Sequence, residues 1–234
     1  MKLSQLQAAV VHDLKNQLQS LLDFEQQALS RIPPEYHQEL TPILQRTNRL
    51  KNDSLQLIAL YRFQESQLPE NRLQEAAHFP LDDAWPRDTI SDAIEATSLQ
   101  FPSITFHNNS DIDCQGFYNE TLLQLALVTL ITNSAQAGAK AIWFDATETN
   151  TGLEISVRDN GPGFASEVLD GEISSTKSDM GGLGLFFVEL ICQYHQQGEN
   201  KGRLQLANYS SLDHPLDGTG NPPADGAEVR LYLP

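Results

Sequence analysis

The chain of 234 residues carries 15 basic and 31 acidic side chains, a formal net charge of −16, and is 40% hydrophobic. That imbalance disfavours nonspecific nucleic-acid or anionic-membrane binding, while the apolar content suffices for a core in one large domain or two modest ones. No apolar run reaches the roughly 18 residues of a membrane span, no leader-like segment opens the chain, and Cys114 and Cys192 alone build neither a disulfide framework nor a cysteine zinc site, which suits a reducing cytoplasm.

Along the first seventy residues, Leu3, Leu6, Val10, Leu14, Leu18, Leu21 and Ala28 recur at three- and four-residue steps. This is the seam of a helix that packs on other helices, and Arg31-Ile32-Pro33-Pro34 stops it. A second periodic run follows with Leu40, Ile43, Leu44, Thr47, Leu50, Ser54, Leu57, Ile58 and Tyr61. Either Thr41 caps it with Pro42 in its first turn, or it begins nearer Glu35 and bends at Pro42. One helical hairpin cannot bury its seam on all sides, so two of them paired in a dimeric four-helix bundle are the economical solution. The first domain is placed at residues 1–70 and a polar linker at 67–79.

The second domain, 78–234, reads as α/β. Residues 89–99 suit a helix, 104–107 a strand and 119–137 a long helix. Two strands at 141–147 and 152–158 meet at the turn Asn150-Thr151-Gly152. A helix at 185–195 precedes strands near 203–206 and 228–233. Residues 210–226, rich in Gly, Pro, Asp and Asn, form a long surface loop.

The alternation Leu153-Glu154-Ile155-Ser156-Val157-Arg158 has the period of a half-buried strand and runs into Asp159-Asn160-Gly161-Pro162-Gly163. Asp159 therefore stands at a strand end, where its carboxylate accepts a hydrogen bond from a ligand's amino group. Gly161 and Gly163 let the backbone approach that ligand closely. Asn133 closes the apolar run of the long helix, and its amide oxygen suits a hard cation. Gly181-Gly182-Leu183-Gly184 opens the helix at 185, where backbone amides suit phosphate oxygens. Near the start, His12 lies off the apolar seam of its helix in His12-Asp13-Leu14-Lys15-Asn16, and neutral imidazole is a good nucleophile near neutral pH.

Taken in chain order, the four stretches resemble the histidine box, the asparagine box and the two glycine boxes of two-component sensor histidine kinases, across nearly the whole chain. The resemblance implies an α+β architecture: a dimerisation and phosphotransfer hairpin followed by an α/β sandwich ATP-binding domain with helices on one face of a mixed sheet. It implies ATP and Mg²⁺ as cofactors, a homodimer, and a response-regulator receiver domain as partner, docked along the helix face at 18–29. His12 is then the phosphorylated residue and Asp13 orients its ring and takes its proton. Asn16, one turn on, positions water for dephosphorylating the partner's phosphoaspartate. Lys15 either contacts phosphate or is solvated. Asn133 ligates Mg²⁺, while Thr129 stands where many members have a second asparagine. Asp159 accepts from the adenine amino group over Gly161 and Gly163, and Lys177, Gly182 and Gly184 belong to the lid and its anchor.

Two departures from the family pattern stand in the lid. Met180 occupies the first position of the usual glycine series, and no phenylalanine precedes Thr176-Lys177; both are read as variation within members of the nitrogen-regulation type. Residues 1–11 span about 16 Å of helix, too little for a sensor. The expectation is either the cytoplasmic core of a longer membrane kinase or an orphan driven by a separate sensor subunit. The alternative within the fold is a phosphotransferase or phosphatase with impaired ATP use. A non-kinase ATPase is opposed by the hairpin carrying His12.

Overall fold

The protein is described by a computed structural model at residues 80–169, 182–209 and 225–234, together with Ser20, Phe24, Gln27, Arg31, Arg46, Thr47 and Leu50. The chain divides into two units, Met1–His78 and Phe79–Pro234. In the first, those seven residues are helical. The remainder of the expected hairpin, with His12, Asp13, Lys15 and Asn16, lies outside the described residues. So do Lys177 and most of the 210–226 loop.

The second unit is organised by one helix and one hairpin. Asn119 ends an extended segment and its side chain accepts the Leu122 N–H at 2.9 Å, satisfying one of the orphan donors of a helix start. The apolar run behind it becomes helix α2, Glu120–Gln136. It is buried at Leu122, Leu123, Leu125, Ala126, Leu127, Val128, Leu130 and Ile131, nearly all round, as a helix must be when neighbours cover both sides. Those neighbours are α1, Pro86–Ser98, and α4, Gly182–Tyr194. A short helix α3, Ser166–Leu169, follows the glycine turn. Helix α1 begins at Pro86 rather than at the expected Thr89. Proline lacks an N–H that a first-turn position does not use, so Trp85-Pro86 starts the helix without a side-chain cap.

The strands, in chain order, are β1 (Asp82–Ala84), β2 (Thr105–Asn108), β3 (Gly116–Tyr118), β4 (Ala141–Thr149), β5 (Gly152–Asp159), β6 (Gln196–Gln197), β7 (Asn200–Lys201), β8 (Arg203–Tyr209) and β9 (Gly226–Leu233). Five form one mixed sheet in the order β2-β4-β5-β9-β8, with β2 parallel to β4 and the other pairs antiparallel. The β4–β5 hairpin turns at Asn150-Thr151, with Thr149 opposite Gly152. Because strand side chains alternate, Leu153, Ile155, Val157 and Asp159 are buried while Glu154, Ser156 and Arg158 are half-exposed. The latter face carries an Arg158–Asp145 ion pair and His107 stacked on Trp143 at 5.3 Å. Exposed ion pairs of this kind contribute about 0–1 kcal/mol, against about 1.5–3 kcal/mol for a fully buried aliphatic or aromatic side chain. The unit is therefore held by the buried face. Two small ribbons, β1 with β3 and β6 with β7, were not expected from the sequence.

His195 closes the far end of α4. It is fully buried; its Nε2 accepts the Asn119 N–H at 3.1 Å, and its Nδ1–H donates to the Ile191 carbonyl at 2.7 Å. The Asn119 side chain in turn donates to the Pro80 carbonyl at 2.7 Å. A proton on Nε2 would face the Asn119 N–H, so the ring is neutral, and burial holds its pKa below the ordinary 6.5. The sign of the pH effect follows. As pH falls through about 6.5 the unfolded chain takes up a proton that the folded unit refuses. His195 thus removes stability progressively below that pH, until the folded ring itself protonates, and has no such effect well above it. In thermal denaturation, the wild type should exceed His195→Gln most at pH 8, with the gap narrowing by pH 5.5. A gap constant across that range would refute the assignment.

Candidate functional site

Asp159 is the last residue of β5 and only 7% exposed. Its Oδ1 accepts the Gly161 N–H at 2.8 Å, and its Oδ2 accepts the Ser134 hydroxyl at 2.6 Å. The next side chain, Asn160, turns back to the start of β4, where its Oδ1 accepts the N–H groups of Lys140 and Ala141 at 2.7 and 2.9 Å. Beyond it the glycine turn is pinned to β8. Asn208 accepts the Phe164 N–H at 2.6 Å and donates to the Phe164 carbonyl at 2.9 Å. Gly163 sits there at φ +77°, and a Cβ on it would meet Asn208 Oδ1 at 2.8 Å, so glycine is required both by conformation and by space. The turn is held by α2, β4 and β8 together, which fixes the direction of the carboxylate.

Asn133 lies in the last turn of α2, one residue before Ser134. Against it stands the first turn of α4: a Cβ on Gly184 would meet Asn133 Nδ2 at 3.0 Å and Oδ1 at 3.1 Å. The N-terminus of α4, opened by Gly182, is thus brought to the asparagine amide, and the first-turn N–H groups, which no helix can pair internally, suit a phosphate. Thr129, one turn earlier, donates its hydroxyl to the Leu125 carbonyl at 2.8 Å. Among the described residues no group of three or more His, Cys, Asp or Glu could hold a metal ion. A divalent cation here has no carboxylate cage. Magnesium keeps several waters and draws oxygen ligands from substrate phosphates, and the Asn133 amide oxygen is a hard donor suited to such an ion.

The structure thus brings together Asp159, Gly161 and Gly163 on one side, and Asn133, Gly182 and Gly184 on the other, joined through Ser134. Ser134, Asn160 and Asn208 were not among the expected site residues. The available signal was weak: three short polar side chains in otherwise apolar or turn-like surroundings, whose partners lie 19 to 44 positions away in sequence.

A mixed sheet covered by helices on one face, with a buried aspartate at a strand end above a glycine turn, defines a class of nucleotide-binding ATPase. Residues 118–234, half of the chain, match the family described as histidine kinase-, DNA gyrase B- and HSP90-like ATPase, and the chain belongs to that family. Within it, the chain is a histidine kinase catalytic core. It is 25% identical over 227 residues to the tetrathionate sensor histidine kinase TtrS of Salmonella typhimurium, covering 93% of this chain and 36% of that protein. To the sensor histidine kinase ZraS of Escherichia coli K12 it is 25% identical over 222 residues, covering 88% and 43%. The chain therefore spans less than half the length of these relatives. The histidine kinase AdeS of Acinetobacter baumannii has a similar fold, with a TM-score of 0.55 at 15% identity, over 95% of this chain and 96% of that one. No described helix is long and apolar enough to cross a membrane.

Proposed function

We propose that this chain is an ATP-dependent protein-histidine kinase that phosphorylates His12 and passes the phosphoryl group to an aspartate on a response-regulator receiver domain. The observation that carries the nucleotide half is the buried, doubly hydrogen-bonded Asp159 at a strand end, with Asn133 against the N-terminus of α4 nearby. Asp159 accepts from the adenine amino group. Guanine presents a carbonyl there, and two acceptors repel. Asn133 and the amides after Gly182 hold the phosphates, with Lys177 reaching them from the lid.

The transfer half is supported by the His12-Asp13-Leu14-Lys15-Asn16 stretch and by the sensor-kinase relatives. A ring nitrogen of His12 attacks the γ-phosphorus, the bond to the β,γ-bridging oxygen breaks and ADP leaves. Asp13 takes the imidazole proton. Asn133 would hold Mg²⁺, which would supply charge neutralisation at the phosphate oxygens; positioning by the site supplies most of the rest. Asn16 directs water at the regulator's phosphoaspartate, which releases inorganic phosphate and the free aspartate and so opposes the transfer. A homodimer through the helical hairpin and a cytoplasmic site of action complete the reading, the chain serving as the kinase part of a longer sensor or working with a separate one.

The test is incubation with γ-labelled ATP and Mg²⁺, wild type beside His12→Gln. Label that is acid-labile, alkali-stable and lost entirely in the variant is the expected result. Equal labelling of the variant would exclude His12. ATP binding without any label would favour the phosphatase side of the family.

A further inference from the structure

The Asp159 carboxylate is anchored from two directions, and one side-chain anchor comes from another element. Gly161 belongs to the same turn, whereas Ser134 reaches Oδ2 across 25 positions of sequence, from the last turn of α2, at 2.6 Å. Both side chains are 7% exposed, so the contact is largely screened from water, where a hydroxyl-to-carboxylate bond is strongest. A serine hydroxyl has one proton. With that proton given to Asp159, Ser134 has only lone pairs left, and an ionised carboxylate also only accepts. The pair forms an acceptor-only patch.

The terminal torsion of an aspartate is broad and roughly two-fold. Held by its own turn alone, the carboxylate could rotate about the Gly161 contact and blur the direction in which it accepts. Ser134 removes that freedom. Its position also matters: Asn133, the preceding residue, contacts the first turn of α4 through Gly184, while Ser134 contacts β5. Successive residues of one helix project about 100° apart, so one turn of α2 addresses both ends of the site.

We propose that Ser134 is the positioning residue for base selection. By fixing the Asp159 carboxylate as an acceptor, it makes the site prefer a purine with an exocyclic amine at the six-position over one with a carbonyl or no substituent there. The inference rests on the reading of Asp159 as the adenine contact and extends it to a residue that never needs to touch the base.

The full chain, wild type beside Ser134→Ala and Ser134→Thr, would be titrated with the Mg²⁺ complexes of ATP, GTP and purine riboside triphosphate. This last nucleotide lacks the amine but keeps ring and phosphates. In Ser134→Ala the preference for ATP over purine riboside triphosphate should fall on the order of tenfold, with affinity for the amine-free nucleotide unchanged. Ser134→Thr, which retains the hydroxyl, should keep the wild-type preference. A wild-type preference in Ser134→Ala, an equal loss for all three nucleotides, or a threonine variant as unselective as alanine would each overturn the proposal. A wild type that binds all three equally would instead remove Asp159 as the base contact, a separate failure.

Discussion

Replacing Asp159, the proposed adenine contact, with asparagine should weaken ATP binding by about 10- to 100-fold while leaving the unit folded. The second half of that statement follows from the surroundings. An asparagine keeps the volume, its amide oxygen can still take the Gly161 N–H, and its NH₂ can donate to the Ser134 oxygen, since a hydroxyl works in either sense. Only the Ser134 hydroxyl proton loses its acceptor, and a helical serine can turn that proton to a carbonyl of the preceding turn. What changes is the remaining face: an amide nitrogen brings donors to where the adenine amine also donates. The lost interaction is a hydrogen bond to a charged group, about 1.5–3 kcal/mol, which sets the fold-change. Calorimetric titration of ATP, beside thermal denaturation of the same samples, checks both halves. Unchanged affinity would take Asp159 out of base recognition, and a collapsed melting point would make the loss uninformative.

Gly226→Ala should destabilise the second unit by about 3 kcal/mol or more and weaken ATP binding along with it. Gly226 opens β9, and a Cβ there would stand 1.8 Å from the Asp159 carbonyl oxygen and 3.1 Å from the Asn160 Cα. Both obstacles are backbone and neither can rotate aside. Overpacking against movable side chains costs about 1–3 kcal/mol; here the strand must shift. A loss of that size lowers a melting midpoint by roughly 6–12 °C in a domain this large. The midpoint and the ATP affinity should fall together, because the displaced group is the main chain of Asp159, the proposed base contact. An alanine variant with the wild-type midpoint would show that β9 can yield at no cost.

The parts of the fold that were legible in the sequence are those written in local chemistry. The helix α2 is announced by a long, mostly apolar run after Asn119, and the structure ends that helix within a residue of the expected position. The β4–β5 hairpin shows in its alternation and in Asn150-Thr151. Asp159 at a strand end with two glycines behind it is likewise a local pattern. The β1–β3 ribbon is not local: Asp82 pairs with Tyr118 through strands of three residues, too short to display a period. The start of α1 at Pro86 lay ahead of the expected Thr89 because proline is accepted in a first helical turn, though it breaks a helix elsewhere.

The site was legible to the same extent. The residues proposed to face the ligand are types whose chemistry suggests the task. The residues that aim them are not. Ser134 is an ordinary helical serine until the fold delivers a carboxylate to it, and Asn208 is an ordinary strand asparagine until Phe164 arrives. His195 was expected only as the last residue of a helix. A polar side chain at a helix end is by default solvated, and only the approach of Asn119 makes it a buried acceptor.

The stack of His107 on Trp143 has a practical side. The chain holds two tryptophans, Trp143 on β4 and Trp85 just ahead of α1, and both fall in the Phe79–Pro234 unit. Indole emission excited selectively therefore carries no signal from a tryptophan in the Met1–His78 unit and reports the nucleotide-binding unit. Melting or ligand titration of that unit can be followed in the intact chain, with no label attached and no domain removed.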